Sequence, residues 1–159
     1  MARQSRRTGR RFVGWQHPRL APALLARRGS REAYIATSGR LWRLIGSPLY
    51  PETLETVEER AAETWDRGVS RSGVARQMLA ILTQPDRTRG LRELEVPTLV
   101  IHGLSDRMVH VSGGRATARA VPGAELLLVP GMGHDVPPKL YDDFADAIAR
   151  TAARATSAR

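Results

Sequence analysis

The sequence predicts an α/β fold in which two parallel strands with flanking helices follow a helical segment. Two short apolar runs, residues 96–101 and 125–129, are bounded by Gly or Pro and carry almost no charge inside, which is typical of buried strands. A helical stretch lies between the two runs, and another follows the second run. This strand-helix-strand-helix order favours a right-handed parallel crossover.

Three amphipathic helices are predicted ahead of the first strand. Ser30 is a suitable N-cap for a helix over residues 31–45, and Pro51 suits the first turn of a second helix over residues 51–67. A third helix is predicted over residues 72–83. The remaining predicted elements are a short helix over 89–94, strands over 97–102 and 125–129, and helices over 112–120 and 138–155. The last helix is expected to turn four apolar residues inward, namely Leu140, Phe144, Ile148 and Ala152.

Length and composition limit the classes of protein to be considered. A chain of 159 residues suits one domain with its own core. The absence of cysteine excludes disulfides, thiolate catalysis and cysteine-based zinc sites. No apolar run approaches the roughly 18 to 20 residues of a transmembrane helix, and no apolar region follows the basic N-terminus as in a secretory signal. We therefore expect a cytoplasmic protein.

The excess positive charge is confined to an N-terminal arm. The formal net charge is +9, and nine arginines precede the first acidic residue, Glu32. Subtracting these nine from the 25 basic residues leaves as many as the 16 acidic residues, so the rest of the chain is formally neutral. An arginine-rich arm can bind phosphates without sequence preference, which makes nucleic-acid binding one hypothesis. The alternative is a disordered leader, which the absence of interleaved aromatics and of any periodicity in residues 1–12 favours. The nine residues are Arg3, Arg6, Arg7, Arg10, Arg11, Arg19, Arg27, Arg28 and Arg31.

Asp106 and His134 are the candidate catalytic residues. Asp106 lies in the loop after the first predicted strand, where a carboxylate can accept the Nδ1 proton of an imidazole. His134 follows Gly133 in the turn after the second strand, and glycines let such a turn bend sharply and present the ring. Open α/β sheets place their chemistry at the C-terminal ends of their strands, which is where both residues lie. The alternative for each residue alone is structural, as a turn-forming carboxylate and an ordinary polar histidine.

The residues around this pair resemble a known family. Residues 96–109, which read VPTLVIHGLSDRMV, resemble the penultimate strand and acid loop of the α/β-hydrolase family. Residues 122–137, which read PGAELLLVPGMGHDVP, resemble its last strand and histidine loop. The helices between residues 30 and 83 resemble the cap that many members insert before the penultimate strand. The resemblance implies that Asp106 orients His134 and that His134 acts as the general base and then the general acid for a serine nucleophile.

The sequence departs from the family at the nucleophile. The family's motif, Gly-x-Ser-x-Gly between a strand and a helix, does not occur, and neither does its glycine-rich oxyanion loop. The nearest candidate serines each lack the motif or its setting; they are Ser38, Ser47, Ser70 and Ser105. A base and its orienting acid cannot run acyl transfer without a nucleophile. We therefore expect the chain to be inactive alone, and to be a partial gene product or one with an altered start.

These observations predict three segments and leave three functional hypotheses. Residues 1–29 form the basic leader, residues 30–90 a cap-like helical segment, and residues 91–159 the C-terminal part of the hydrolase core. The first hypothesis is an esterase-like serine hydrolase for small acyl or ester substrates, completed by a missing half. The second is a non-catalytic module that binds a small apolar ligand, or a protein partner through an exposed sheet edge. The third is the nucleic-acid binder.

No cofactor or metal is indicated. His102 and His110 lie near the candidate acid, but no third ligand has convincing metal-site spacing. Apolar side chains of the cap-like segment are candidates for lining a substrate pocket, with ordinary core packing as the alternative. These side chains are Trp42, Leu49, Trp65 and Met78.

Overall fold

A computed structural model describes residues 13–22 and 29–157 of the chain. The elements, in chain order, are a 3-10 helix (Pro18–Leu20), α1 (Arg31–Ile45), α2 (Leu54–Asp66), α3 (Arg71–Thr83), α4 (Thr88–Arg92), β1 (Leu99–Gly103), α5 (Ser112–Ala120), β2 (Glu125–Val129), a second 3-10 helix (Pro138–Leu140) and α6 (Tyr141–Ser157). The predicted α/β fold, with two parallel strands behind a helical segment, is confirmed.

Helices α1 and α2 form an antiparallel pair. The hydroxyl of Ser30 caps α1 as predicted, because its oxygen accepts a hydrogen bond from the Ala33 amide over 3.2 Å. Arg31, at the start of α1, donates two hydrogen bonds of 2.9 Å to the two carboxylate oxygens of Asp66 at the end of α2. Since the beginning of one helix meets the end of the other, the two helices run in opposite directions.

The start of α2 differs from the prediction. The helix begins at Leu54, where the Thr53 hydroxyl accepts a hydrogen bond from the Thr56 amide over 3.2 Å. Pro51 precedes the helix, so its predicted place in the first turn is wrong. Thr53 offers a side-chain acceptor for the free amides of a first turn, which a proline cannot do.

The two strands pair in parallel between two helical layers. Residues Leu99 to Gly103 lie opposite Glu125 to Val129. The His102 ring lies against Gly114 of α5, whereas its neighbour Ile101 packs against the cluster that contains Phe144 of α6. Because successive strand residues point to opposite faces, α5 and α6 cover the two faces of the sheet.

The core lies between the sheet and α6. Its buried members are Val129, Met132, Leu140 and Phe144, and the partly buried residues packed against them are Tyr50, Ile101 and Leu127. Met132 belongs to the turn after β2, and Tyr50 follows the end of α1. The core therefore ties the second strand, its following turn and the segment after α1 into one packed unit.

The buried face of α6 is rotated from the predicted one. Leu140 and Phe144 point inward as predicted, but Ile148 is 57% exposed, and the buried positions further along are Ala147 and Thr151. Ala152 is also exposed. Steps of four, three and four residues keep the buried positions on one stripe of a helix, whereas Ile148 lies about 100° away from Ala147.

Helix α3 is the least packed element. Among the described elements it packs against no other helix or strand. Its apolar side chains Val74, Leu79 and Ile81 are each more than half exposed. The apolar face predicted for this helix therefore exists, but no described residue covers it.

Most of the arginine-rich arm lies outside the described residues, as do residues 1–12, which are predicted to be disordered. Arg31 is described and is paired with Asp66, so its charge is partly compensated. The nucleic-acid hypothesis remains a prediction. Within the described ranges, no helix combines the length and apolar character needed to span a membrane.

Truncating a buried side chain of α6 should lower the free energy of unfolding far more than truncating an exposed one. Phe144→Ala removes a buried ring, so we expect it to lower the free energy of unfolding by about 3 to 5 kcal/mol. Ile148→Ala on the same helix is the matched control, and we expect a change within about 0.5 kcal/mol because that side chain is mostly exposed. Urea denaturation monitored by circular dichroism measures both. Equal losses in the two variants would contradict this core assignment.

Candidate active site

Asp106 organises the loop that follows β1. Its Oδ1 accepts hydrogen bonds from the backbone amides of Met108 and Val109, both over 2.8 Å. The side chain is only 7% exposed, and its own amide donates to the Gly103 carbonyl. A buried carboxylate is retained at low cost when several donors satisfy it, so this loop is built around the charged form of Asp106.

The second carboxylate oxygen of Asp106 binds His134. The His134 Nδ1 lies 2.9 Å from Asp106 Oδ2, although the two residues are 28 positions apart. Because an ionised carboxylate can only accept, Nδ1–H is the donor and Nε2 is the nitrogen left for chemistry. The structure thus brings together the two residues that the sequence predicted as a pair.

A second imidazole, that of His102, is hydrogen-bonded to the loop that contains Asp106. His102 Nε2 donates to the Val109 carbonyl over 2.9 Å and lies 3.8 Å from Asp106 Oδ2. The residue was considered in the sequence only as a metal ligand. Its position at the end of β1 makes it a brace between the strand and the loop.

The pair shifts the pKa values of both partners. Burial acts to raise the pKa of Asp106, but hydrogen bonds from His134 and the two loop amides, together with the imidazole charge, outweigh it and leave that pKa below its ordinary value. The hydrogen bond to Asp106 raises the pKa of His134 against the opposing effect of burial. The negative charges of Asp106 and Asp135 act in the same direction on His134. The arrangement therefore favours an ionised acid beside a more basic imidazole.

The turn that carries His134 is pressed against the end of α1. Gly131 has a φ of +68°, and a Cβ there would collide with the Leu49 side chain. A Cβ on Gly133 would collide with the Ile45 carbonyl oxygen. The His134 amide donates to that same carbonyl over 2.7 Å. Glycines at 131 and 133 are thus required by backbone conformation and by close approach.

Ser47 is the polar centre of this contact. Its hydroxyl donates to Asp135 Oδ1 over 2.6 Å and accepts from the Gly133 amide over 2.8 Å. The residue is buried, at 4% exposure. Ser47 lacks the setting of a nucleophile, and the sequence indicates no other role for it. Its place between Gly46 and Pro48 after a helix indicates a turn but does not specify these partners.

No described side chain completes a nucleophile–base pair. Within residues 13–22 and 29–157, the His134 ring makes its hydrogen bond through Nδ1 to Asp106, and no hydroxyl bonds to Nε2. The same ranges contain no group of three or more His, Asp or Glu side chains that could hold a metal ion. Within the described residues, the site therefore consists of a hydrogen-bonded carboxylate–imidazole pair.

A cavity of about 500 Å³ opens beside the acid. Its lining combines Asp106 with aromatic and basic side chains, among them Trp15, Trp42, Arg43 and Arg107. The Trp15 ring stacks on His110 with centroids 4.9 Å apart. Of the four apolar residues predicted as pocket candidates, only Trp42 lines this cavity. Trp65 instead packs against Tyr34, and Leu49 lies largely exposed over Gly131.

Comparison with characterised proteins returns haloperoxidases and esterases. No family model matches the chain. The chain is 33% identical over 72 residues to a non-heme haloperoxidase of Rhodococcus erythropolis. This alignment covers 44% of the chain and 26% of the haloperoxidase. The chain is 31% identical over 107 residues to a pimeloyl-[acyl-carrier protein] methyl ester esterase of Xanthomonas oryzae pv. oryzae. That alignment covers 67% of the chain and 39% of the esterase. The chain therefore spans well under half the length of these relatives.

Solved structures show the same fold over about half their length. A bromoperoxidase from Bacillus anthracis superposes with a TM-score of 0.57 and 21% identity, over 82% of this chain and 51% of that one. The esterase RhEst1 from Rhodococcus sp. ECU1013 superposes with a TM-score of 0.57 and 19% identity, over 88% of this chain and 48% of that one. Together with the parallel strands, the acid loop and the histidine loop, these likenesses show that the chain belongs to the α/β-hydrolase family, of which it carries the C-terminal part.

Proposed function

We propose that Asp106 and His134 are the acid and the base of a serine-hydrolase centre for small acyl or ester substrates. The observation that carries this proposal is the 2.9 Å hydrogen bond from His134 Nδ1 to the buried carboxylate of Asp106. That carboxylate also accepts hydrogen bonds from two backbone amides. Esterases among the relatives support the substrate class. The nucleophile comes from outside the described residues, and the chain is inactive without it.

In this proposal Asp106 orients the ring, and His134 carries out two proton transfers. Asp106 holds the His134 ring in the tautomer with the proton on Nδ1, which leaves the Nε2 lone pair free. Nε2 takes the proton of a hydroxyl nucleophile as it attacks the acyl carbon, and the imidazolium then returns that proton to the departing alkoxide. The imidazolium that forms between these two transfers is stabilised by the Asp106 carboxylate.

The segment boundaries belong to the same proposal. Residues 30–90 act as a cap, and residues 91–159 as the C-terminal part of the core, behind a basic leader over residues 1–29. The close contact between the end of α1 and the histidine turn supports the cap role, because it places helical residues over the base. We propose the cytoplasm as the location of the protein.

A second candidate is non-catalytic binding of a small ligand in the cavity beside Asp106. A volume of about 500 Å³ falls in the range of about 300 to 1,000 Å³ of small-molecule sites. Two tryptophans supply apolar walls, and Asp106 supplies a convergent polar group. The proposed ligand is a small aromatic amide or ester.

The purified chain should not hydrolyse p-nitrophenyl butyrate in a His134-dependent way. We expect equal background rates for the unmodified chain and for His134→Ala, because a base without a nucleophile gives no acyl intermediate. Labelling with a fluorophosphonate, followed by peptide mass mapping, should modify no serine. Turnover or serine labelling that disappears in His134→Ala would refute the proposed incompleteness.

The acid–base pair should give a pH-dependent contribution to stability. His134 has a raised pKa, so its contribution is complete below the ordinary value of 6.5 and is lost as pH rises through the raised value. Asp106 has a lowered pKa, so its contribution is complete above 3.8 and is lost as pH falls through the lowered value. We expect the loss in melting temperature of His134→Gln to be largest near about pH 5 and to shrink above neutrality.

Asp106→Asn provides the control for this prediction. Adding His134→Gln to that variant should bring no further pH-dependent loss, because the pair is already broken. Thermal unfolding followed by circular dichroism from about pH 4 to pH 9 measures all four proteins. A His134→Gln loss that is constant across this range would contradict the ion pair.

Ligand binding in the cavity should quench tryptophan fluorescence. Titration with N-phenylbutyramide, an uncleaved isostere of a phenyl ester, should give a saturable change that Trp42→Phe reduces in part, because Trp42 is one of the two tryptophans that line the cavity. Trp65→Phe is the matched control and should keep the change, since Trp65 packs against Tyr34 away from the cavity. A response that both variants retain in full would exclude this cavity as the binding site.

A further inference from the structure

The contact between the turn after α1 and the histidine loop is dense and polar. Four hydrogen bonds join the segment from Ile45 to Leu49 with the segment from Gly131 to Asp135. Two of them use the Ser47 hydroxyl, and the other two join backbone groups. All four link residues more than 80 positions apart in the chain. They therefore fix the helical segment and the core relative to each other at the proposed base.

We propose that Ser47 is the positioning residue for His134. Its hydroxyl holds the residues on both sides of the histidine, the amide of Gly133 before it and the carboxylate of Asp135 after it. The buried hydroxyl thus donates one hydrogen bond and accepts one. These two bonds offset the cost of removing the hydroxyl from water. Ser47 does not touch the His134 ring, so it acts only through the loop.

The His134 ring depends on this loop for its orientation. The side chain is 43% exposed, and within the described residues its hydrogen bond goes to Asp106 alone. A good part of the ring is therefore open to solvent. Hydrogen-bond strength falls steeply with distance and angle, so a small shift of the loop backbone is enough to break the 2.9 Å contact with Asp106.

The loop has no slack in which to absorb a change at Ser47. The His134 amide is bonded to the Ile45 carbonyl, and Gly133 lies so close to that carbonyl that no Cβ fits between them. Loss of the Ser47 hydroxyl would leave the buried Gly133 amide without its acceptor and would release the Asp135 carboxylate. Both changes act on the residues that flank the base.

The catalytic meaning of this inference rests on the proposed function, but its test reads the His134 ring directly. The full chain is labelled with ¹⁵N-histidine, and His134→Gln identifies the His134 signals. In Ser47→Ala we expect the Nδ1 proton to exchange with water about tenfold faster, as loss of roughly one net hydrogen bond implies. We also expect the imidazole titration to move down towards its ordinary value.

Thr37→Val is the matched control. Like Ser47, Thr37 carries a buried hydroxyl. It lies within α1, and its hydroxyl donates to the Ala33 carbonyl of the same helix. This variant should lose stability but keep the exchange and titration of His134 unchanged. If Ser47→Ala does not fold, Ser47→Cys carries the test, and its weaker hydrogen bonds should still speed the exchange. Unchanged His134 behaviour in the folded Ser47 variant, or an equal change in Thr37→Val, would overturn the inference. Absence of esterase activity would leave it standing.

Discussion

Asp106 divides its two carboxylate oxygens between two tasks, and the geometry of the site depends on that division. One oxygen accepts two loop amides and fixes the acid loop after β1. The other accepts the Nδ1 proton of His134 and reaches across to the second loop. The carboxylate is nearly buried, so its charge remains only because these donors replace the water it has lost. Any change that removes one of them is expected to disturb both the loop and the His134 ring.

The histidine loop is held from two directions. Asp106 fixes the ring, and the turn after α1 fixes the backbone through Ile45 and Ser47. The core cluster beneath, which includes Met132 from the same loop, adds a third restraint. A partly exposed imidazole is thereby held in one orientation.

Apolar surface remains open on the other parts of the molecule. Described residues leave the apolar side chains of α3 uncovered, and the paired strand positions Leu99 to His102 are only partly buried. Parallel strands are normally buried on both faces, with further strands beside them. The chain also spans only about half the length of the structures that it resembles. These observations together fit a chain that carries only part of the α/β-hydrolase fold.

The sequence by itself determined the order of the elements and the acid–base pair. Local properties suffice for these, because apolar runs ending in Gly or Pro predict strands, and an acid and a histidine at successive strand ends meet at one sheet edge. Ser30 likewise predicted the start of α1, because its hydroxyl can cap the first turn. Only the tertiary structure decided the buried face of α6, the close approach at Gly133 and the role of Ser47. The buried face of α6 depends on how that helix packs against the sheet. The close approach at Gly133 and the role of Ser47 depend on a contact between residues more than 80 positions apart, which no local pattern of residues encodes.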